Sequence, residues 1–170
     1  MIREYAENLV NRGNFLDELD VCKMKGGRDK FMSLYCYDDD AREYVKENRR
    51  IAGYSGKIYL AQEHILDIDG ETFIESRDAT ADLMELLKDL NVPFKPFFSG
   101  TGFHLSIPSE SFKWEPHQDL HLYVKEALDS KGIFKFADVS VTDKVRLIRV
   151  PNTINSKSGL YKVSLNKLLS

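Results

Sequence analysis

Asp67 and Asp69 close the stretch His64-Ile65-Leu66-Asp67-Ile68-Asp69-Gly70. Two residues apart on an apolar strand, their carboxylates project from one face while Ile68 points the other way, into the core. Oxygen ligands at that spacing suit a hard divalent cation, Mg2+ or Mn2+. Phe98-Ser99-Gly100-Thr101-Gly102-Phe103-His104 then sets hydroxyls, glycines and an imidazole side by side. Arg146-Leu147-Ile148-Arg149-Val150-Pro151-Asn152-Thr153-Ile154-Asn155-Ser156-Lys157 adds two guanidiniums and an ammonium. Glycines let backbone N–H groups approach an anion. Basic groups beside acids suit a metal-bound triphosphate, because they neutralise charge on a departing pyrophosphate. The chemistry to which this set points is metal-dependent transfer of a nucleotidyl group.

A two-metal site requires a third carboxylate. Asp138 and Asp143 both qualify. Asp138 ends the mainly apolar run 133–137 and is expected at a strand end, whereas Asp143 lies in a turn-like Thr142-Asp143-Lys144, so Asp138 is preferred. Each motif also has a plainer explanation. Asp69-Gly70 resembles a turn with solvated acids, a lone strand histidine such as His104 is commonly structural, and Arg146 and Arg149 could serve surface ion pairs. Ser99-Gly100-Thr101-Gly102 is no P-loop, since neither a Gly-Lys-Ser/Thr ending nor a following helix is present. His117 and His121, four apart on a helix, find no third ligand and read as a solvated face. Asp38, Asp39, Asp40 and Glu43 read as a helix start, and Trp114 with most of the Phe and Tyr residues reads as core.

The elements that must position these groups follow from periodicity. Short helices are expected over 2–12 and 14–24, a strand over 31–37, and a helix from the Asp38–40 run to about 48. Strands over 58–62 and 65–69 lie close together or run on through His64. Apolar residues Ala79, Leu83, Leu86, Leu87 and Leu90 mark a helix over 78–90 that Asn91-Val92-Pro93 stops. A hairpin over 94–107 turns at 99–102. A helix over 116–130 and short strands near 134–139, 146–150 and 161–165 complete the chain. This order fits an α+β domain with a largely antiparallel, RRM-like sheet and flanking helices. A single domain over 1–170 is expected, with an N-terminal αβ portion over about 1–50 and a motif-bearing core over about 54–165.

The 170 residues are 42% hydrophobic and 30% charged, with a formal charge of -3 and a pI near 5.8. That describes an ordinary globular domain and argues against a protein that coats nucleic acid through bulk positive charge. Two cysteines, Cys22 and Cys36, are too few for a four-cysteine zinc site or a disulfide framework and are expected to be reduced. The charged N-terminus lacks a signal-peptide core, and no apolar run approaches the roughly 20 residues that span a bilayer. A cytoplasmic protein without membrane association is expected.

Taken in order, the apolar-Asp-x-Asp strand, the Ser99/His104 hairpin and the late Asp138 resemble the archaeo-eukaryotic primase superfamily, which includes primase–polymerases. The stretch 138–151 is similar to the end of the catalytic small subunit of archaeal primases. The resemblance spans roughly 54–165. It implies that Asp67, Asp69 and Asp138 bind two divalent metals, Mg2+ or Mn2+. It also implies that Ser99, Gly100, Gly102, His104, Arg146, Arg149, Asn155 and Lys157 surround the triphosphate of an NTP or dNTP. The implied partners are a single-stranded DNA template and primer, with a helicase or another primase subunit, in replication of a plasmid, phage or mobile element. Asn155 departs from the pattern where archaeal and eukaryotic small subunits tend to have His, and the Cys/His zinc module of many relatives is absent.

Two further readings compete. One is a non-catalytic module that binds single-stranded nucleic acid or nucleotide on the same scaffold. The other, a replication-initiator nuclease, ranks low because the chain has no His-x-His pair.

Overall fold

The computed structural model describes residues 1–24 and 26–165, without the side chains of Cys22 and Lys23. Its elements are β1 (Ile2–Ala6), β2 (Asn14–Asp17), α1 (Glu18–Lys23), β3 (Phe31–Ser33), β4 (Tyr35–Tyr37), α2 (Asp40–Asn48) and β5 (Ile58–Leu60). There follow β6 (Glu63–Ile68), α3 (Phe73–Asp89), β7 (Lys95–Phe98), β8 (Phe103–Pro108), α4 (Leu120–Ser130), β9 (Leu147–Arg149) and β10 (Val163–Ser164). The α+β class and its antiparallel sheets agree with the sequence reading. One sheet runs β5-β4-β1-β3-β9 with β2 added on β1, and the other runs β10-β7-β8-β6.

The second sheet carries the acids. β6 and β7 each pair antiparallel with β8, so they run parallel to one another on either side of it, and α3 makes the crossover. This split β-α-β unit is the RRM-like half anticipated above. The second half departs from it, because β10 joins the outer edge of β7 rather than the side of β6. α3 begins five residues before the expected start because Thr72 and Glu75 form a capping box: Thr72 Oγ1 accepts from Glu75 N, and the Glu75 carboxylate accepts from Thr72 N, both at 3.2 Å. Its buried face of Ser76, Thr80, Leu83 and Leu87 covers the sheet. Leu66, Ile68, Leu83, Leu105, Val124 and Val150 are all fully or almost fully buried at the centre of the core.

β1 takes the place of the helix expected over 2–12, and the helix expected over 14–24 is shortened to α1, with β2 preceding it. β1 is central in the first sheet, and even its charged residues Arg3 and Glu4 are buried. Burial of charge demands partners. Arg3 Nε donates to Ser33 O at 2.9 Å, while the Glu4 carboxylate accepts from Arg12 Nε and Nη2 at 3.1 and 2.8 Å and from Gly13 N at 2.9 Å. In the sequence those charges imitate a solvated helix face.

The single strand expected over 31–37 is two strands, β3 and β4, separated at Leu34, whose N–H donates to Arg146 O. Strands 58–62 and 65–69 are not continuous, since β5 and β6 belong to different sheets. The strand expected near 134–139 is replaced by 3-10 turns at Ile133–Lys135 and Val139–Thr142. Cys36 is buried and free; the expectation for the Cys22 thiol falls outside the described side chains. Among the described residues no helix is long and apolar enough to cross a membrane.

Candidate functional site

The β6–β8 register sets Asp67 opposite His104 and Ile68 opposite Phe103. Directly opposed side chains on an antiparallel pair meet, and His104 Nε2 lies 3.1 Å from Asp67 Oδ1. Complete burial pushes the His104 imidazole down to about 4, with Lys162 adding to the effect, so the ring is neutral at physiological pH. A neutral ring has one N–H. With Nε2–H directed at Asp67, the buried Nδ1, which has no hydrogen-bond partner among the described residues, is left with a lone pair. His104 therefore holds Asp67 in this arrangement, and does not present a donor to phosphate oxygens as the sequence suggested.

The other oxygen of Asp67 meets Arg146, with Nη2 3.0 Å from Oδ2. The same Nη2 lies 3.4 Å from Asp138 Oδ2. Burial works against ionisation of Asp67, but the His104 hydrogen bond and the Arg146 charge outweigh it, and its carboxyl stays below the ordinary value. Asp69, just past the end of β6, moves the opposite way: burial raises it, the negative charges of Asp67 and Asp138 raise it further, and Arg146 and Lys157 oppose them.

Asp138 does not end a strand. It caps the 3-10 turn that follows, accepting from Ser140 N at 2.9 Å and from Ser140 Oγ at 2.6 Å. Its own N–H donates to Asp67 O at 2.8 Å, so the main chain carries it to the acid pair.

The turn between β7 and β8 is closed by Ser99 N donating to Gly102 O at 2.9 Å and Gly102 N donating to Ser99 Oγ at 3.0 Å. The Gly102 N–H thus serves the turn instead of an anion. Both glycines are required for close approach. A Cβ on Gly102 would stand 2.5 Å from Asp69 Oδ1 and 2.6 Å from Ile68 O. Gly100, at φ +102°, has Asn155 Cβ 2.7 Å from where its own Cβ would be.

Buried Asn155 organises the third segment. Its N–H donates to Leu160 O at 2.8 Å, its carbonyl accepts from Gly159 N at 2.7 Å, and its Oδ1 accepts from Lys157 N at 3.0 Å. Lys157 is exposed, and among the described residues its ammonium has no hydrogen-bond or ion-pair partner. Arg149 is tethered: Nη1 donates to Asp29 Oδ1 at 2.8 Å and Ile154 O at 3.0 Å, and the guanidinium lies over the Phe31 ring at 4.9 Å.

Asp67, Asp69, Ser99, His104, Arg146, Arg149, Asn155 and Lys157 line one cleft of about 470 Å³. Gly100, Gly102 and Asp138 are not among its lining residues; Asp138 is tied to the cleft by its 3.4 Å contact with Arg146. Asp143, the alternative third acid, is on the wall, as are Leu9, Arg12 and Phe31, whose spacing along the chain carries no sign of it. Two more residues were missed. Asp29 holds Arg149 and accepts from Ser156 N at 3.1 Å, and these bonds draw its carboxyl down to about 2. Lys162 is fully buried beneath the cleft, donating to Arg149 O at 2.8 Å and lying over the Phe97 ring at 5.4 Å. Burial pushes its ammonium down to about 7, against the pull of Asp67. Its one sequence signal is a place five residues after Lys157 in a strand-like run.

The oxygens here are carboxylate and hydroxyl, the donor type that a hard divalent cation takes, and the charges of Asp67 and Asp138 add to the effect of burial in raising Asp69. As arranged, with Asp67 engaged by His104 and Arg146, no group of three or more His, Cys, Asp or Glu among the described residues is positioned to hold an ion.

No protein-family model matches the chain, and no curated protein matches it. Among solved structures it is similar to the polymerase domain of Mycobacterium tuberculosis ligase D in complex with DNA, with a TM-score of 0.45 and 13% identity. That likeness covers 82% of this chain and 57% of the other, so the chain spans little more than half the length of that domain.

Proposed function

We propose that this cleft performs template-directed nucleotidyl transfer, as a primase or primase–polymerase of the archaeo-eukaryotic superfamily. A 3′-hydroxyl attacks the α-phosphorus of an NTP or dNTP: the O3′–Pα bond forms, the bond from Pα to the bridging oxygen breaks, pyrophosphate departs and the hydroxyl proton passes to solvent. The observation that carries this reading is the meeting, in one cleft, of acids from 67–69 with cations from 146–157. Three segments far apart in sequence do not converge so for solvation alone.

Asp67, Asp69 and Asp138 are the residues that would hold two Mg2+ or Mn2+ ions. Bound there, the ions would lower the pKa of the attacking hydroxyl and neutralise the leaving oxygens. The protein's own part is positioning and charge. Lys157, exposed and unpaired, is suited to grip a phosphate. The Ser99 hydroxyl, accepting from Gly102 N, still has its proton to donate. Arg149 is held by Asp29 at a fixed orientation toward the cleft, and His104 orients Asp67. The test is primer extension on a single-stranded template with each nucleotide type and each metal. The Asp67→Ala, Asp69→Ala double variant should lose incorporation by several orders of magnitude, and normal incorporation would sink the proposal.

A second reading, a non-catalytic module for single-stranded nucleic acid or nucleotide, draws support from the Arg146 bridge across Asp67 and Asp138. A guanidinium can balance two acids permanently as well as temporarily. Nucleotide binding that is indifferent to Mn2+, with no incorporation by the unaltered chain, favours that reading.

A further inference from the structure

A second cleft, of about 500 Å³, opens between the β1–β2 hairpin and α2. Arg12, Arg42, Lys46 and Arg49 line it, and among the described residues no carboxylate does. In a chain of net charge -3, a hollow lined by four cations is a local concentration of positive charge that favours entry of an anion.

Two of them are already matched: Arg12 by the Glu4 carboxylate at 2.8 Å and Lys46 by exposed Glu43 at 2.5 Å. Arg42 and Arg49 have no ion-pair partner among the described residues, and Arg42 Nε is buried without a hydrogen bond. The helix dipole offers an explanation for Arg49, which follows the last turn of α2, where cations are favoured. It makes Arg42 harder to explain, because Arg42 lies in the first turn, where the dipole favours acids. Tyr5 and Phe15 also border the hollow, and cations interleaved with aromatic rings are what successive nucleotides of a single strand need for phosphate and base contacts.

Arg12 borders both clefts. Its guanidinium is fixed by Glu4 and by a 2.8 Å bond to Val145 O. We propose that the second cleft holds internal phosphodiesters of a single-stranded nucleic acid that runs on from the candidate active cleft past Arg12. This rests on the nucleotidyl-transfer reading for what occupies the first cleft, and adds a track by which the strand is held away from the reacting atoms.

Fluorescence anisotropy with a labelled mixed-sequence oligodeoxynucleotide, over a range of salt and without nucleotide, tests it. Relative to the unaltered chain, Arg42→Gln with Arg49→Asn should weaken binding equally for all sequences and make the slope of log K against log salt shallower by about 1.4. Asn at 49 is chosen because that residue has φ 62°, which Asn tolerates. Lys46→Gln, at an exposed position, should reduce the slope by about 0.7 without bearing on folding. Lys88→Gln with Lys125→Gln, on exposed faces elsewhere, should leave it unchanged. An unaltered slope in both cleft variants, or an equal loss in the Lys88/Lys125 variant, overturns the proposal. Binding of NTP with Mn2+ by the unaltered chain is measured separately, so that failure of the active-site reading is told apart from failure of this one.

Discussion

Arg146 Nη2 stands 3.0 Å from Asp67 Oδ2, on the side of that carboxylate away from His104, and reaches Asp138 with the same nitrogen. The guanidinium thus occupies the space between two acids that a divalent cation would share. Arg146→Gln should raise the affinity for Mn2+ in the absence of nucleotide by up to roughly tenfold, equivalent to about 1.4 kcal/mol, and lower the melting temperature of the metal-free protein. Titration calorimetry checks the first and a thermal scan the second. An unchanged Mn2+ affinity would mean that ion and guanidinium do not compete.

Gly102→Ala forces a methyl group against Asp69 Oδ1 and Ile68 O at 2.5 and 2.6 Å. Overpacking of this kind costs about 1–3 kcal/mol, which lowers the melting temperature of a chain of this size by roughly 2–12 °C. Gly159→Ala is the comparison, since its φ of +72° strains alanine but nothing lies within 4 Å of the new atom. Gly102→Ala should also move Asp69 and so reduce metal-dependent incorporation, whereas Gly159→Ala should not act through Asp69.

His64 is buried between Tyr35 and Phe112, and among the described residues neither ring nitrogen has a hydrogen-bond partner. Burial pushes it down to about 4, while the unfolded chain titrates near 6.5. Between those values the unfolded state binds the proton and the folded state does not, so acid favours unfolding. Stability should therefore fall as pH drops from about 6.5 to about 4, by on the order of 3 kcal/mol for this group, and its contribution should level off below. His104 adds a similar slope in the same window. His64→Phe should remove about half of the combined slope in denaturant titrations, and an unaltered slope would refute the assignment.

Lys162 acts at the other end of the pH scale. Its folded-state value of about 7 lies below the ordinary 10.4. Its penalty is thus complete below pH 7 and shrinks as pH rises toward 10, where the unfolded chain also loses the proton. Lys162→Met should abolish that alkaline gain in stability. A wild-type rise that persists in the variant would place its origin elsewhere. The variant also removes the donor to Arg149 O, so NTP affinity should fall if Arg149 orientation matters to binding.

The legible parts of the molecule were those with clean periodicity. α3, the β7–β8 hairpin and β6 show apolar spacings that local geometry enforces, and the motifs ride on them. β1 was misread because buried Arg3 and Glu4 look like solvent-facing residues until Ser33, Arg12 and Gly13 are seen to satisfy them. 3-10 turns stand where a strand near 134–139 is expected because an apolar run suits either, and the Gly132 φ of 72° and the Asp138 cap distinguish them. Asp29, Lys162 and the hollow above α2 depend on contacts between segments tens of residues apart, which spacing along the chain does not encode.

The 2.8 Å bond from Asp138 N to Asp67 O has a consequence for how this protein can diverge. The separation of the two acids is a property of chain length, because a backbone bond, indifferent to side-chain identity, fixes where residue 138 arrives. Residues 131–137 are therefore free to drift in character, within the limits set by buried Ile133 and Ala137 and by the left-handed φ of Gly132. A single insertion or deletion there would shift which residue meets β6, and would disarm the site while leaving every acidic side chain in the sequence.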